Sequence, residues 1–431
     1  MPSGARQTDA NSSIPKPMWT ERLSISFLNE EPRFIDEYSG VKIFTSHPSA
    51  ANSFESDETI SASPPTFEKG AHSGDTIRIF IFIVFQYSTL HFRIKCGYIA
   101  TVFLACRKKT PMLKTMRKIF TITGNLLAET SAVFDTPKRG GTARAKGSPM
   151  FRVGGKGVNV ARAAKSLGMD ATAVVFPAGF TGKRCMETLE NEGIATISAW
   201  LEGETREGLV CTDSADGSNI TYLGADVPVP EKALIKAANK IIRKARKGDV
   251  LAFCGSFPAW KIGYTQLINY PRFVKKMPLC IDTYGLPLSN FARREEIDLV
   301  KINRAELFGL MKRTDNGTAE KFLKTFKAAR EKFFDFTEML IVSDGANTIL
   351  ADFGNGIIEV EPPKIEREVR ATGCGDAMFA RLIFELYENS APPETALRRA
   401  AAYASLCAEC DGVGTLSPEK AEKAKQISQI Q

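Results

Sequence analysis

Histidine is scarce in this sequence: its 431 residues contain only His47, His72 and His91, and none follows residue 91. Without an imidazole, the later segment cannot form a Ser-His or Cys-His nucleophile, an HExxH zinc site or a histidine-based acid and base. Proton transfer in that segment must therefore use carboxylates, lysines or tyrosines.

A disulfide framework is also absent. The nine cysteines are odd in number and irregularly spaced, which favours reduced thiols in a cytoplasmic protein. Cys407 and Cys410 form a CxxC pair, but no second pair completes a zinc site. We interpret this pair as part of the core.

The sequence has no uninterrupted apolar run long enough for a membrane span. Residues 77–106 are rich in apolar and aromatic side chains, but Arg93 and Lys95 divide them into runs shorter than the roughly 20 residues a spanning helix needs. No signal-peptide pattern stands at the N-terminus. A membrane partner is therefore not predicted, although a hairpin or an interfacial segment remains an alternative for this stretch.

Composition and charge indicate a soluble globular protein. Hydrophobic residues make up 43% and charged residues 25% of the chain, close to ordinary globular usage. The net charge of +8 is compatible with nucleic acid, anionic lipid or phosphorylated metabolites. Because Lys and Arg are scattered along the chain, no nucleic-acid partner is predicted.

The chain is predicted to have two parts. Residues 1 to about 75 are rich in Ser, Pro, Thr, Glu and Asn without sustained periodicity, a pattern typical of disorder. Met116 opens MRKIFTITGN, which predicts a first β-strand, and the remaining stretch of about 300 residues suits one α/β domain. We expect residues 1–115 to be a dispensable extension, such as an over-long reading of the start site, and residues 116–431 to be the functional domain.

Within residues 116–431, apolar runs of strand length alternate with amphipathic helical stretches. This alternation predicts an α/β fold with a mostly parallel central sheet and helices on both faces. Two segments, near 130–153 and 205–224, have short polar-alternating strands broken by glycine and predict a small β-sheet lid. The predicted strands are 118–123, 171–177, 250–254, 279–282, 299–302 and 339–343. The predicted helices are 158–167, 182–192, 231–246, 318–334, 376–388 and 393–408.

The strongest local motif is ATGCGDAMF, which spans residues 371–379 and runs into an apolar-periodic helix. The N–H groups at a helix N-terminus bind anions, and glycines allow the backbone to approach a phosphate closely. Asp376 would lie beside that anion, where a carboxylate can accept a proton from an attacking hydroxyl. The alternative is an ordinary helix cap, for which Asp is also common.

A second glycine-rich helix start is GGKGVNVAR, residues 154–162. It is not a Walker A loop, because the lysine is not followed by Ser or Thr, and the 371–379 motif is not a dinucleotide fingerprint. Two such helix starts in one domain suit two ligands. Ordinary loop glycines are the alternative.

Five motifs in order resemble the PfkB carbohydrate kinases of the ribokinase-like superfamily, and the nearest branch is that of 1-phosphofructokinase and tagatose-6-phosphate kinase. They are GGKGVNVARAAKSL (154–167), GETR (203–206), GSFP (255–258), VKINRAE (300–306) and TGCGD (372–376). The resemblance covers residues 116 to about 415.

The resemblance implies a role for each matching residue. Asp376 is the implied base, and the amides of Gly373, Cys374 and Gly375 are the implied anion hole. For acceptor binding the implied residues are Gly154, Gly155, Asn159, Glu129 and Arg206, of which Arg206 grips the acceptor's phosphate. For nucleotide and magnesium they are Asn303, Glu306, Asp344 and Gly345. ATP and Mg²⁺ are the implied cofactors, with no metal held directly by the protein, and a homodimer through the lid is the implied assembly.

Departures from the family pattern fall mostly on the acceptor side. Glu129 stands where an Asp is usual, Gly208 where an Asn is usual, and Arg381 where a small residue is usual; residues 219–229 read NITYLGADVPV instead of a TEINxxGP-like sequence. We predict ATP-dependent phosphorylation of a sugar phosphate such as fructose 1-phosphate or tagatose 6-phosphate. A nucleoside or unphosphorylated sugar kinase and a non-catalytic sugar-phosphate sensor remain alternatives.

Overall fold

A computed structural model describes residues 80–82, 101–103, 116–135, 140–260, 262–292, 297–335, 337–369, 371–410, 412–413 and 415–427. The chain divides into two units, Met1–Thr115 and Met116–Gln431. In the first unit the described residues form two paired parallel strands, β1 (Phe80–Phe82) and β2 (Thr101–Phe103), and this pairing differs from that of a hairpin. The predicted disordered stretch up to about residue 75 lies outside the described residues, and the dispensable extension stays a prediction.

The second unit is built on a sheet in which nine strands can be described. Its order is β15-β14-β13-β12-β11-β10-β3-β6-β7, and every pairing from β13 to β7 is parallel, whereas β14 and β15 are antiparallel. The strands are β3 (Lys118–Thr123), β6 (Asp170–Val175), β7 (Ala195–Ser198), β10 (Val250–Gly255), β11 (Leu279–Thr283), β12 (Leu299–Asn303), β13 (Met339–Asp344), β14 (Asn347–Asp352) and β15 (Ile357–Val360).

The central strands are buried on both faces, which explains their nearly continuous apolar sequences. All six residues of β10 are buried. Its side chains alternate between two cores, with Val250 and Ala252 in one and Leu251 and Phe253 in the other, as the two-residue repeat of a strand requires.

Helices cover both faces of the sheet. The core around Val250 contains residues of α1, α2, α8, α9 and α10, and the core around Leu251 contains residues of α3, α4, α5, α6 and α7. The helices are α1 (Lys156–Ser166), α2 (Gly179–Asn191), α3 (Glu231–Lys244), α4 (Ile262–Lys275), α5 (Gly285–Phe291), α6 (Arg304–Met311), α7 (Ala319–Phe333), α8 (Cys374–Ile383), α9 (Pro393–Ala408) and α10 (Pro418–Ile427).

A separate four-stranded sheet forms the lid. Its order is β5-β4-β8-β9, with β4 (Leu127–Phe134), β5 (Ala145–Gly154), β8 (Arg206–Asp213) and β9 (Asn219–Leu223). β4 pairs in parallel with β8 and antiparallel with β5. The lid therefore joins two chain segments that leave the main sheet at different points.

The predicted α/β fold with a lid is confirmed, and every predicted strand and helix is present. The bounds of β3 and α9 match the predictions, whereas α2 begins at Gly179, before the predicted residue 182. The predicted helix 376–388 needs correction: α8 begins at Cys374 and ends at Ile383, and a π-helical turn, Phe384–Glu388, follows it. The outer strands β7, β14 and β15 and the helices α4, α5, α6 and α10 were not predicted.

A buried ion cluster stands at the end of α8. Glu385 is fully buried and accepts hydrogen bonds from Arg381 Nε (2.8 Å), Arg399 Nη1 (3.0 Å) and Asn389 Nδ2 (2.9 Å). Burial opposes the negative charge, but the hydrogen bond from Asn389 and the two arginines outweigh it and lower the pKa of Glu385. Arg381, the departure noted in the sequence, thus helps to tie α8 to α9.

We expect Glu385→Gln to lower the free energy of unfolding by roughly 3 kcal/mol, because it removes the negative member of a buried ion cluster. Urea unfolding measures the loss. Glu394→Gln is the matched control: its i,i+4 pair with Arg398 is about half exposed, so its loss should stay below about 0.5 kcal/mol. Equal losses in the two variants would show that the buried cluster adds no stability.

Candidate active site

The motif residues converge at the carboxyl ends of the central parallel strands. β10 ends at Gly255, β11 at Thr283 and β12 at Asn303. Ligands in open α/β sheets bind at this edge, where loops and helix N-termini gather. The starts of α1 and α8 face the same edge, since residues of both helices contact side chains of the central strands and of each other, as described next.

The glycine-rich start of α1 approaches β3 closely. Gly155 has φ of +115°, and a Cβ there would lie 2.6 Å from Thr123 Cγ2, so a side chain at this position would be strained. The next residue, Lys156, reaches across the site. Its Nζ lies 2.7 Å from Asp282 Oδ1 and 2.9 Å from Glu306 Oε1.

Asp282 is the buried centre of this network. Its side chain is fully buried, and its second oxygen lies 2.9 Å from the Nζ of Lys301, which is also buried. Burial opposes the negative charge, but Lys156 and Lys301 outweigh it and lower the pKa of Asp282. Burial likewise opposes the charge of Lys156, yet Asp282, Glu306 and Asp376 raise the pKa of Lys156. Asp282 is therefore negatively charged and Lys156 positively charged at the same pH.

Asp376 lies in the first turn of α8. Gly373 precedes the helix in the left-handed region at φ +89°, which only glycine adopts without strain. Asp376 is 6% exposed, and its Oδ2 accepts a hydrogen bond of 2.8 Å from Asn159 Nδ2 of α1. Arg162 orients that amide by donating to Asn159 Oδ1 at 3.1 Å. The carboxylate is thus held by α1.

Burial, and then the nearby charge of Asp282, raise the pKa of Asp376 to about 6. Lys156, the hydrogen bond from Asn159 and Lys301 act in the opposite direction. A carboxylate with this pKa is ionised at neutral pH and is a stronger base than an ordinary aspartate.

The backbone before Asp376 lies beside a cation. A Cβ built on Gly375 would lie 2.9 Å from Lys301 Nζ, so the ammonium group is close to the start of α8. The Cys374 amide donates to the Ala371 carbonyl at 3.3 Å. Burial raises the pKa of the Cys374 thiol to about 11, which keeps it protonated. A positive helix end with an added ammonium group suits a phosphate.

The predicted nucleotide residues form two neighbouring groups. Asn303 and Glu306 make a reciprocal capping box at the start of α6, with both hydrogen bonds at 2.8 Å. Asp344 accepts from Arg304 Nη1 at 2.9 Å, and Gly345 occupies the turn after β13 at φ +58°. Glu306 joins the Asp282 network through Lys156, whereas Asp344 and Gly345 are linked to α6 by Arg304.

The GETR motif, which we predicted to contact the acceptor, is fixed to α2. Glu204 accepts hydrogen bonds from the amides of Phe180 (3.1 Å) and Thr181 (2.9 Å) at the start of that helix. These backbone hydrogen bonds lower the pKa of Glu204. Thr205 Oγ1 accepts from the Ala178 amide at 2.8 Å. The two contacts determine where β8 begins and therefore where Arg206 lies.

Arg206 pairs with a carboxylate that the motifs did not predict. Its Nη1 lies 2.9 Å from Asp226 Oδ1, which also accepts from Asn125 Nδ2 at 2.7 Å. Glu129 of the lid lies 3.9 Å from Arg152. Lid and strand ends thus supply charged and amide groups of the kind that bind sugar hydroxyls and phosphates.

The structure brings Asp376, Asn159, Gly155, Gly373 and Gly375 together. Glu306 joins them through Lys156, and Asn303 through its capping box with Glu306. Sequence reasoning assigned no role to Lys156, Asp282, Lys301, Asn125 or Asp226. A signal was present for three of them, since Asp282 and Lys301 interrupt buried apolar strands and Lys156 lies in a glycine-rich helix start.

Within the described residues, no group of three or more His, Cys, Asp and Glu side chains is placed to hold a metal ion. In the same part of the chain, every helix is too short or too polar to cross a membrane.

The fold is that of the ribokinase-like kinases. Phosphofructokinase-2 from Escherichia coli in complex with fructose-6-phosphate superposes with a TM-score of 0.64 at 24% identity, over 73% of this chain and 100% of that one. Ribokinase from Giardia lamblia superposes with a TM-score of 0.59 at 14% identity, over 72% of this chain and 99% of that one. Residues 126–420 match the model of the pfkB family carbohydrate kinases. The chain belongs to this family and is a carbohydrate kinase, for which the family implies ATP as phosphate donor.

Three curated relatives show how broad the similarity is. The ATP-dependent 6-phosphofructokinase isozyme 2 of Escherichia coli is 28% identical over 57% of this chain and 79% of its own length. The 1-phosphofructokinase of Borreliella burgdorferi is 27% identical over 56% of this chain and 76% of its own length. The tagatose-6-phosphate kinase of Staphylococcus epidermidis is 26% identical over 64% of this chain and 88% of its own length.

We expect Lys156→Met to move the acid limb of the kcat/KM profile about one pH unit upward, because an ammonium group that favours ionised Asp376 is lost. The wild-type rate should fall as pH drops through about 6, where Asp376 becomes protonated. Initial rates measured over a pH series give the acid limb of the wild-type protein and that of the variant. Lys118→Met, which removes a lysine at the opposite end of the sheet, should leave the limb in place; an unmoved limb in Lys156→Met contradicts the coupling.

Proposed function

We propose that this kinase transfers the γ-phosphate of ATP to a hydroxyl of a sugar phosphate of the fructose 1-phosphate or tagatose 6-phosphate type, with Asp376 as the base. The observation that carries the proposal is the buried carboxylate of Asp376, held by Asn159 at 2.8 Å in the first turn of α8. A buried carboxyl group with a raised pKa is a candidate for a functional site, and a helix N-terminus favours a bound anion beside it.

In the proposed step, Asp376 accepts the proton of the acceptor hydroxyl. The hydroxyl oxygen bonds to the γ-phosphorus as the bond from that phosphorus to the bridging oxygen of ADP breaks. The amides at residues 373–375 and the ammonium group of Lys301 stabilise the charge on the transferring group. Catalysis of this kind depends chiefly on positioning and charge neutralisation.

Glu306 and Asn303 fit a role in organising magnesium through its bound waters, with no direct metal ligand from the protein. Mg²⁺ keeps several waters and is usually bound by one or two carboxylates together with substrate phosphates. Glu306 presents its carboxylate between Lys156 and the Asn303 amide at the edge of the network. When bound there, the ion would neutralise charge on the phosphates.

Arg206 supports a phosphorylated acceptor, since a guanidinium fork binds phosphate well. The names of the curated relatives agree with such an acceptor. An unphosphorylated sugar or nucleoside is the second candidate, because Asp226 already offers Arg206 a negative partner at 2.9 Å. Location in the cytoplasm stays a prediction.

We expect Asp376→Asn to lower kcat at least about 100-fold, because general base catalysis is lost, with little change in binding of ATP or acceptor. Rates measured with fructose 1-phosphate, tagatose 6-phosphate, fructose and a nucleoside give the test. The matched control is Asp170→Asn, which removes a half-exposed carboxylate at the first residue of β6 and should leave the rates unchanged. An unchanged rate in Asp376→Asn refutes the base, and turnover of unphosphorylated acceptors alone refutes the sugar-phosphate assignment.

We also propose that the protein forms a homodimer through the lid. Leu209, Ile220 and Tyr222 are exposed by 37%, 53% and 59%. The pairing of Leu209 with Tyr222 and of Cys211 with Ile220 places them on one face of the β8–β9 ribbon. A relative from Escherichia coli is described as tetrameric in its inhibited form. An exposed apolar sheet face of this kind suits a symmetric contact.

Light scattering after size-exclusion chromatography should give a dimer for the wild-type protein and a monomer for Tyr222→Lys, because the two-fold contact would bring two ammonium groups together. Tyr270→Lys is the control, since Tyr270 of α4 is exposed by 54% and lies outside the lid. A monomeric wild-type protein, or a Tyr222→Lys dimer, contradicts the proposal.

A further inference from the structure

The acceptor side contains buried polar atoms whose hydrogen-bonding capacity is not used. Asn125 is 4% exposed, and within the described residues neither its Oδ1 nor the buried Nε of Arg206 has a hydrogen-bond partner. One of these atoms accepts a hydrogen bond and the other donates one. Since such buried groups normally have partners, they match a ligand that brings both a hydroxyl and a negatively charged oxygen.

Asp226 engages the same two side chains from the solvent side. Its Oδ1 accepts from Arg206 Nη1 at 2.9 Å and from Asn125 Nδ2 at 2.7 Å. The Arg206 side chain is 11% exposed, whereas that of Asp226 is 59% exposed. The carboxylate therefore covers the guanidinium group at the mouth of the site.

Arg206 and Asp226 lie on backbone segments of different kinds. Arg206 begins β8, where Thr205 and Glu204 fix the chain to α2. Asp226 lies in the irregular segment 224–230 between β9 and α3. The arginine is thus part of a lid strand, whereas the carboxylate belongs to a connection outside the strands and helices.

We propose that Asp226 is a specificity-determining residue that occupies Arg206 in place of the acceptor's phosphate, so that a phosphorylated acceptor binds only by displacing or approaching a like charge. This inference rests on the proposed function, because it takes Arg206 to contact the acceptor. Carboxylate and phosphate repel each other across the short distances of a shared guanidinium group. Asp226 thereby weakens the binding of phosphorylated acceptors relative to plain sugars.

Isothermal titration of the full-length protein with fructose 1-phosphate, tagatose 6-phosphate and fructose tests the inference directly. We expect Asp226→Asn to bind the two phosphates about five- to tenfold more tightly, because the repulsion is lost while the hydrogen bond to Arg206 is kept. Binding of fructose should be unchanged or weaker. In turnover, KM for the phosphorylated acceptor should fall with kcat unchanged, as expected for uniform binding.

Asp135→Asn is the matched control, because it removes an exposed lid carboxylate that pairs with Lys146 and does not touch Arg206. It should leave all three affinities at their wild-type values. In a protein that already carries Arg206→Met, adding Asp226→Asn should no longer change the affinity for either phosphate. A merely structural role of Asp226 would not depend on Arg206 in this way.

Unchanged or weaker phosphate binding by Asp226→Asn, or an equal gain with Asp135→Asn, overturns the inference. Failure of the proposed function gives a different result. If the wild-type protein phosphorylates only plain sugars, the acceptor assignment fails, while the role of Asp226 is still decided by whether Asp226→Asn gains affinity for the sugar phosphates.

Discussion

The buried carboxylate of Asp282 between two lysines is the constraint on which the active site depends. It joins β11 to α1 through Lys156 and to β12 through Lys301. A buried ion cluster costs desolvation free energy and is retained only with close, complementary geometry. Each ammonium group also reaches a second element of the site, Lys156 contacting Glu306 and Lys301 lying beside Gly375. The charges that hold the strands together are therefore also the charges that lie at the starts of α6 and α8.

The same cluster explains why a carboxyl group has a pKa near 6 in a domain whose described residues include no histidine. Burial and the negative charge of Asp282 raise the pKa of Asp376 and make its proton harder to remove, and the lysines and Asn159 limit that effect. The outcome is a carboxylate that is ionised under ordinary conditions yet accepts a proton more readily than an exposed aspartate. The pKa of Asp376 thus depends on residues from three other elements of the fold, α1, β11 and β12.

The sequence predicted the parallel sheet well, because strands buried on both faces leave continuous apolar runs, as in β10 and β13. It also located Asp376, since a glycine turn before an amphipathic helix is a local signal. The Arg206–Asp226 pair could not be predicted from the sequence. The two residues meet only because β9 pairs with β8, and no local pattern contains that register. Glu306 was assigned from its motif, but its contact with Lys156, 150 residues away, depends on the packing of α1 against the sheet.

The hydrogen bond between Asn159 and Asp376 joins residues 217 positions apart. Nearly the whole sheet is encoded between them, so the pair forms only after the last sheet strands and α8 have left the ribosome. A nascent chain that already displays the glycine-rich start of α1 still lacks the carboxylate that Asn159 holds in the folded protein. The contact between α1 and α8 is therefore a late product of chain synthesis, and no local segment can form it alone.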